Sequence, residues 1–361
     1  MKRILILEPY YGGSHKVFLQ GLQRNVKCDY TLLTLPARKW QMRMQLSAPW
    51  FVNQLRLLPE HERFFDTVLC STFVDVAVLR ALLATLSGWN LKSLFCTYFH
   101  ENQLAYPSQF QDKSIQQFAS INFNTALASD RCAFNSQFNL DTFLVGIQAY
   151  LKKATDMELD DCVVHIREKS LVLYPGMDYS SVDCVKEKER ETGSPVIVWN
   201  HRWEHDKGPD LFFEALYLLQ EKGIAFRLVV LGQSFINVPE CFKEAHTRLI
   251  KEIIHFDYAE SKERYGQLLS LGDVVVSTAR HEFFGVAVLE AIRSGCYPLL
   301  PNALSYPELY DKEFLYDSGA LADRLEAFLL NPIRLKSDDV YALTHRFEWD
   351  TCGTQYKQWL F

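Results

Sequence analysis

Short apolar runs that alternate with longer amphipathic stretches are the feature that most restricts the folds open to this chain. Each run has the length of a buried strand, and each stretch between runs has the apolar spacing of a helix. In the first half of the chain the predicted strands lie at 4–7, 30–33, 67–70, 94–98, 125–128 and 170–173. In the second half they lie at 196–199, 225–231, 253–256, 273–277 and 297–300. Strands that alternate with helices in this way predict an α/β protein with parallel sheets.

The chain is too long for one hydrophobic core, and a polar segment separates the two sets of predicted strands. Its 361 residues fit two domains of about 150 to 200 residues each. The segment 186–193 is rich in Lys and Glu and lacks apolar periodicity, which is typical of a linker. We therefore predict two Rossmann-like, doubly wound domains at 1–178 and 194–340, joined by a linker at 179–193. Ligands bind at the carboxyl ends of the strands in such sheets, so we expect the sites in a cleft that both domains face.

Secreted, membrane-spanning and disulfide-rich proteins are excluded by composition and spacing. The first apolar run is four residues long, too short for a signal peptide. The apolar stretch 67–89 contains Asp75 and Arg80, whose charges oppose membrane insertion. The nine cysteines form no C-x-x-C pair, the closest two being Cys162 and Cys184, so neither disulfides nor a thiolate zinc site is indicated. We expect a cytoplasmic protein without a membrane partner.

The beginning of the chain is strongly basic, although the whole chain has a net charge of −6. The first 60 residues carry nine Lys and Arg against three Asp and Glu. Arg38, Lys39 and Arg43 flank Trp40 in this region, a pattern that suits an anionic partner such as a nucleic acid. The alternative is a solvated basic face beside a tryptophan of the core.

The segment 281–295 shows the clearest binding pattern in the sequence. A predicted strand precedes it, and apolar residues at helical spacing run on from about Phe284, so that Glu282 lies on the turn and Glu290 two turns inside the helix. The backbone N–H groups near Gly285, at the start of this helix, favour an anion. A sugar, a diphosphate and a ribose, taken in order, would match this arrangement. The alternative is a pair of exposed helix glutamates without a ligand.

Another strand exit, at 199–209, carries the cations that a diphosphate needs. Arg202 can bind a phosphate through two hydrogen bonds, and Lys207 adds a compact positive charge five residues later. The letters H-x-x-E-H at 201–205 superficially match a zinc-protease motif. Asp-Lys-Gly-Pro follows at once and ends any helix that could present both histidines on one face. We therefore predict a phosphate site here, and no metal site.

Taken together, these motifs resemble the donor half of the large retaining glycosyltransferase family with the two-domain GT-B fold. The resemblance lies in Arg202, in Lys207 with Gly208, and in the segment from Glu282 to Glu290. A narrower resemblance, to the tRNA-queuosine α-mannosyltransferases, extends over nearly the whole chain. Its motifs lie at 10–16, 35–40, 98–104, 201–207 and 281–285. It implies the GT-B fold, with a C-terminal helix at 341–361 that packs back towards the first domain.

The narrower resemblance implies that the donor is GDP-mannose and that the acceptor is queuosine in the anticodon loop of tRNA. The predicted donor-binding residues are Gly12, Gly13, Arg202, Lys207, Phe284, Gly285, Val286 and Glu290. The predicted acceptor-binding residues are His15, Arg38, Lys39, Trp40, Arg43, Glu101 and Asn102. The predicted catalytic residues are His100 and Glu282.

The resemblance also implies a role for the principal residues of the site. Arg202 and Lys207 hold the diphosphate, Glu290 holds the ribose hydroxyls, and Glu282 with the amides of residues 284–286 holds the transferred sugar. His100 lies beside the junction of sugar and acceptor. For His100 the alternative is a buried structural histidine, and for the paired glycines at 12 and 13 it is an ordinary turn.

Other activities remain open at this stage. A nicotinamide oxidoreductase would also have two α/β domains, but no G-x-G-x-x-G follows any predicted strand. A non-catalytic nucleotide-sugar or RNA-binding module would keep Arg202 and Lys207 without needing Glu282 or His100. A small glycan or a lipid could replace tRNA as the acceptor. The chain contains no Asp-x-Asp triplet, so we expect neither a metal ion nor a cofactor in the reaction.

Overall fold

The computed structural model describes residues 1–105, 113–154, 156–184, 193–234 and 237–361. The chain divides into two compact units, of which the first consists of Met1–Met177 with Trp349–Phe361 and the second of Asp178–Glu348. Most of the predicted linker, at 185–192, lies outside the described residues. Ser180–Asp183, which the sequence also assigned to the linker, form a short helix of the second unit.

The first unit is built on one parallel sheet of six strands, in the order β2-β1-β3-β4-β5-β6. The strands are β1 (Arg3–Tyr11), β2 (Asp29–Pro36), β3 (Thr67–Ser71), β4 (Leu94–Phe99), β5 (Arg131–Phe134) and β6 (Ser170–Val172). The helices up to residue 177 are α1 (Gly13–Asn25), α2 (Trp40–Arg56), α3 (Val76–Leu83), α4 (Lys113–Ala128), α5 (Gln137–Leu151) and α6 (Asp160–Glu168). Residues 4–7 of β1 are at most 1% exposed, because helices cover both faces of the sheet.

The second unit contains another parallel sheet of six strands, in the order β12-β11-β10-β7-β8-β9. The strands are β7 (Val196–Asn200), β8 (Arg227–Leu231), β9 (Ile253–Asp257), β10 (Val274–Val276), β11 (Tyr297–Pro301) and β12 (Leu315–Tyr316). The helices are α7 (Ser180–Asp183), α8 (Pro209–Glu221), α9 (Cys241–Arg248), α10 (Lys262–Leu269), α11 (Val286–Arg293), α12 (Tyr306–Leu309), α13 (Leu321–Leu330) and α14 (Ser337–Thr344). The two sheets confirm the predicted α/β class.

The last helix, α15 (Trp349–Leu360), completes the core of the first unit. The phenol of Tyr356 donates a hydrogen bond of 2.8 Å to the carbonyl oxygen of Tyr174. The Trp349 ring lies against Gly21 and Gly176, where an added Cβ would come within 2.2 Å of the indole at either position. Glycine at these two positions is therefore what lets the indole reach the core.

One predicted strand is wrong. Residues 125–128 form the end of α4, and the fifth strand is β5, which begins three residues later at Arg131. Thr125 and Ala126 are fully buried, and a short buried helix end shows the same unbroken apolar run as a strand. The sequence also missed β12, which has only two residues.

Candidate active site

The turn between β7 and α8 packs closely against the segment that follows β10. Gly208 has a φ of +60°, and an added Cβ would lie 2.2 Å from the carbonyl oxygen of Thr278. The Thr278 hydroxyl donates to the carbonyl oxygen of Lys207 at 3.0 Å. The backbone N–H of His281 donates to the carbonyl oxygen of Asp206 at 3.2 Å. The two segments are therefore joined side by side, and the Lys207 side chain is brought to Glu282.

Lys207 and Glu282 form a largely buried ion pair. The Lys207 ammonium donates to Oε2 of Glu282 at 3.1 Å and to the carbonyl oxygen of His281 at 2.8 Å, and Oδ2 of Asp206 lies 3.4 Å from it. Burial would raise the pKa of Glu282, but the charge of Lys207 and the hydrogen bonds to the carboxylate lower it to about 2. Glu282 is therefore ionised at every physiological pH.

The same carboxylate also binds the turn that leads into α11. Oε1 of Glu282 accepts hydrogen bonds from the backbone N–H groups of residues 283, 284 and 285, at 3.1, 3.3 and 3.1 Å. The sequence assigned the amides of Phe284, Gly285 and Val286 to the transferred sugar. The amides of Phe284 and Gly285 already bind Glu282, so a ligand at this turn has to share them with that carboxylate.

Glu290 is the fifth of the eight residues of α11, and a hydrogen-bond chain from two other elements holds it. The phenol of Tyr265 on α10 lies 2.9 Å from Oε2 of Glu290. Nδ2 of Asn200, at the end of β7, lies 3.0 Å from that phenol oxygen and 2.7 Å from the carbonyl oxygen of Ala287. Burial raises the pKa of Glu290 to about 7, against the opposing effect of the Tyr265 hydrogen bond. Because α11 begins at Val286, Glu290 lies little more than one turn inside it, and not two turns as predicted.

His201 is a buried neutral histidine beside the ion pair. Its side chain is hydrogen-bonded to the backbone of Val276, and burial together with the Lys207 charge lowers its pKa to about 4. Within the described part of the chain, Nε2 of His201 has no hydrogen-bond partner. His205 is exposed on the following turn, so the two histidines of the H-x-x-E-H letters do not share a helix face.

Arg202, the other predicted phosphate ligand, is half-exposed. Its guanidinium lies 3.0 Å from Oε2 of Glu204 on the same turn. Arg202 and Lys207 are thus both placed after β7, one at the surface and one in the interior. The structure brings Lys207 and the turn at 283–285 together through Glu282, while Arg202 lies on the turn that follows β7.

In the first unit, a buried histidine lies between two carboxylates. Nδ1 of His15 is 3.0 Å from Oε2 of Glu8, and Nε2 is 3.4 Å from Oε2 of Glu101. The other oxygens of these carboxylates accept hydrogen bonds from the hydroxyls of Ser71 and Thr72, at 3.1 Å each. Burial would lower the pKa of His15, but the two carboxylates raise it to about 10. His15 is therefore an imidazolium whose two nitrogens are already engaged.

His100 packs directly on this imidazolium, with ring centroids 4.1 Å apart. Phe18 and Tyr98 surround the His100 ring at 4.9 and 4.6 Å. Burial and the charge of His15 keep the pKa of His100 well below its ordinary value. The structure thus pairs a charged histidine with a neutral one, and the neutral His100 can donate or accept a hydrogen bond.

Asn102 forms a buried hydrogen-bond network, and its contact with the acceptor stays a prediction. It is fully buried. Its amide donates to Oδ1 of Asn139 at 2.8 Å, and its Oδ1 accepts from the N–H groups of Leu104 and Ala105, at 3.1 and 2.8 Å. These contacts hold the segment after β4 on α5.

The predicted basic region lies beside the paired glycines. Gly12 is in extended backbone, and an added Cβ there would lie 2.6 Å from Cβ of Ala37, so the turn into α1 packs against the segment that follows β2. Gly13 has a φ of +49° and is exposed. Arg38 and Lys39 are exposed, with Lys39 at a φ of +52° just before α2. They are thus available at the surface.

The aromatic residue of the basic region is packed inward. The Trp40 ring lies 4.9 Å from that of Phe118 and 6.4 Å from that of Phe73, in a small apolar cluster. This packing agrees with the alternative of a tryptophan of the core, and the contact of Trp40 with the acceptor stays a prediction. Arg43, one turn further along α2, is half-buried.

Several residues of both sites were not predicted from the sequence. In the second unit these are Asn200, His201 and Tyr265, and in the first unit Glu8. Asn200, His201 and Glu8 are polar residues at or near the end of a buried strand, which is the one signal that could have indicated them. Tyr265 lies on a helix 25 residues before Glu290, and nothing in the spacing connects the two.

Two family models match the chain in succession. Residues 3–177 match the model of the N-terminal part of the tRNA-queuosine alpha-mannosyltransferases, and residues 184–342 match the model of the group 1 glycosyl transferases. Together they account for both six-stranded units.

Similar proteins agree with these models. The tRNA-queuosine alpha-mannosyltransferase of Drosophila melanogaster is 37% identical over 341 residues, which cover 91% of this chain and 87% of that one. A GDP-mannose:cellobiosyl-diphosphopolyprenol alpha-mannosyltransferase of Xanthomonas oryzae is 25% identical over 176 residues, or 44% of either chain. Among solved structures, Anabaena HepE in complex with UDP has a TM-score of 0.69 at 15% identity, with 99% of each chain covered. These neighbours confirm the predicted glycosyltransferase fold.

No helix within the described ranges is long and apolar enough to cross a membrane.

Proposed function

The chain belongs to the tRNA-queuosine alpha-mannosyltransferase family, and we propose that it transfers mannose from GDP-mannose to queuosine in the anticodon loop of tRNA. The observation that carries this proposal is the arrangement around Glu282 in the second unit. One buried ion pair, three backbone amides and a second carboxylate on α11 follow the carboxyl ends of β7 and β10, and they support the assignment of this region to a sugar nucleotide.

The donor roles follow from charge and position. Lys207 and Arg202 supply the positive charge that a diphosphate needs, and the N-terminus of α11 adds its dipole. Glu290, held by Tyr265, offers carboxylate oxygens to the ribose hydroxyls. Glu282 is ionised and accepts hydrogen bonds only, so it suits the hydroxyls of the transferred mannose.

The acceptor roles rest on the first unit. The neutral His100 ring can form a hydrogen bond with a hydroxyl without an unfavourable charge. Glu101 is only partly buried and lies next to His100 in the chain. Arg38 and Lys39 are exposed cations on the segment that packs against Gly12, so they can contact the phosphates of an RNA.

The reaction we propose needs no group beyond those named. The bond between the anomeric carbon and the diphosphate oxygen breaks as the acceptor hydroxyl forms its bond on the same face of the sugar. The proton of that hydroxyl passes to the leaving diphosphate. Lys207, Arg202 and the α11 N-terminus stabilise the charge that develops on GDP, and we propose that they do so in place of a metal ion. Turnover that continues undiminished in EDTA is the expected result.

The test of the proposal is a transfer assay with two tRNA pools. Labelled GDP-mannose is incubated with the protein and with tRNA from queuosine-proficient or queuosine-deficient cells, and the RNA is then digested to nucleosides. We expect a hexosylated queuosine from the first pool only. Label that enters both pools equally, or that enters a glycan or lipid and neither pool, would refute the assignment of the acceptor.

A further inference from the structure

We propose that Tyr265, oriented by Asn200, is a positioning residue that holds the Glu290 carboxylate so that it accepts hydrogen bonds from both ribose hydroxyls of the donor nucleotide. This inference rests on the proposed function for the identity of the nucleotide. It adds residues of β7 and α10 that no sequence pattern connected with the site.

When Glu290 is ionised, the hydrogen-bond chain can run in one direction only. Nδ2 of Asn200 lies 2.7 Å from the carbonyl oxygen of Ala287, an atom that can only accept, so the amide nitrogen and not Oδ1 must face it. The second hydrogen of that amide is then directed to the Tyr265 phenol oxygen, 3.0 Å away. Since the phenol oxygen accepts from Asn200, its own hydrogen is left for Glu290, at 2.9 Å.

The direction of the hydrogen-bond chain determines which lone pairs of the Glu290 carboxylate are left for a ligand. Within the described residues, Tyr265 is the one side chain that forms a hydrogen bond with the Glu290 carboxylate, and it does so through Oε2. Oε1 and the remaining lone pairs are left to accept from a ligand, and two neighbouring hydroxyls such as those at the 2′ and 3′ positions of ribose would match them.

Glu290 is buried, so the hydrogen bond from the Tyr265 phenol affects how readily the carboxylate ionises. Burial disfavours the ionised carboxylate, and the Tyr265 hydrogen bond acts against that effect. The other titratable groups facing the chain are Lys262 on α10, Tyr179 ahead of α7 and Cys296 after α11. Burial and the Glu290 charge hold the pKa of Tyr265 well above 10, so the phenol keeps its proton and stays a donor.

The test compares two ligands on two tyrosine variants. GDP and 2′,3′-dideoxy-GDP are titrated calorimetrically into the unaltered protein, into Tyr265→Phe and into Tyr297→Phe. Tyr297 is the matched control, because it lies in the same unit and its phenol donates to the carbonyl oxygen of Glu313 at 3.3 Å. We expect the unaltered protein and Tyr297→Phe to prefer GDP by tenfold or more, and Tyr265→Phe to lose most of that preference while binding dideoxy-GDP normally.

A pH series separates positioning from mere packing. In Tyr265→Phe the preference for GDP should appear about one unit higher in pH than in the unaltered protein, because a hydrogen bond to a charged group is lost. At high pH it should stay well below that of the unaltered protein, because ionisation alone does not orient the Glu290 carboxylate. GDP and dideoxy-GDP carry the same diphosphate, so its titration cancels in the ratio of their two affinities. Equal weakening of both ligands by Tyr265→Phe, or an unchanged preference, would overturn the inference and leave the proposed function standing. If the unaltered protein bound no GDP, both would be overturned.

Discussion

Nζ of Lys207 lies 3.1 Å from Oε2 of Glu282, although 75 residues separate them in the chain. The two residues were assigned to different parts of one ligand, and the structure shows that they also bind each other. Lys207 is 8% exposed, so either charge would lack compensation if the other were removed.

The first prediction concerns the stability of this pair. Lys207→Met or Glu282→Gln should each lower the free energy of unfolding by about 3 to 5 kcal/mol, because each leaves one charge or polar group buried without its partner. The double variant should lose less than the two single losses added together. Urea unfolding measures the free energy of unfolding of all three variants.

Glu221→Gln is the control, since Glu221 pairs with Arg248 at 2.7 Å but is 64% exposed. This substitution should lower the free energy of unfolding by less than about 1 kcal/mol. Strictly additive losses would contradict the coupling.

The second prediction concerns pH and the first unit. The folded pKa of His15 is about 10, above the ordinary value of 6.5. A raised histidine pKa stabilises the folded state fully below the unfolded pKa, and this contribution disappears as the pH rises through the folded pKa. Thermal stability should therefore fall between about pH 6.5 and 10. His15→Gln should be less stable at neutral pH and should lose most of this slope. An identical slope in His15→Gln would show that other groups cause it.

The third prediction separates Asn102 from its neighbours in the chain. Asn102→Ala should lower the free energy of unfolding by about 1 to 3 kcal/mol, because buried hydrogen-bond partners lose their contacts. Its affinity for tRNA, measured at a temperature where the variant is folded, should be unchanged. A loss of tRNA affinity with normal stability would restore the acceptor role that the sequence suggested.

The fourth prediction compares the two glycines at the ends of α8. Gly208 and Gly223 have φ values of +60° and +71°, but a Cβ meets the Thr278 carbonyl oxygen at 2.2 Å only at Gly208. Gly223→Ala should therefore cost about 1 to 2 kcal/mol of backbone strain, whereas Gly208→Ala should cost more and should also weaken GDP binding. Thermal unfolding and GDP titration check this. Similar effects of both changes would mean that the close contact at Gly208 relaxes without harm.

The fifth prediction tests the basic region. Arg38→Glu with Lys39→Glu should weaken tRNA binding and reduce its dependence on salt, by about one unit of slope for each lost phosphate contact, while GDP binding is spared. Arg56→Glu is the matched control, because Arg56 lies at the other end of the 17-residue helix α2, about 25 Å away. If Arg56→Glu weakened tRNA binding as strongly, the effect would be one of general charge.

The sequence predicted best those features that depend on one strand or on the turn that follows it. Unbroken apolar runs located the strands on both sides of the linker, and the same criterion failed at 125–128, where the end of a buried helix looks like a strand. Spacing located Glu282 and Lys207 because both lie on turns that follow strands. It could not indicate that Oε1 of Glu282 binds the turn at 283–285, since that depends on the side-chain conformation.

Contacts between distant elements were beyond sequence reasoning. The Tyr265 bond to Glu290 joins two helices, and the imidazolium of His15 depends on one carboxylate within β1 and another just after β4. Asn102 shows that neighbours in the chain can also have side chains with different surroundings. It follows His100 and Glu101 in the chain, but its side chain points into α5, and only the packing distinguishes it from them.

The position of α15 has a consequence for the order in which the protein matures on the ribosome. Trp349, Tyr356 and Trp359 fill the core of the first unit beside Phe18 and Tyr98, yet they are translated only after the whole of Asp178–Glu348. At about 5 to 20 residues per second, some 10 to 35 seconds pass before that surface can be covered. A nascent chain therefore exposes this aromatic surface to chaperones for all of that time, while the second unit can already fold. The unit that is synthesised first is completed last.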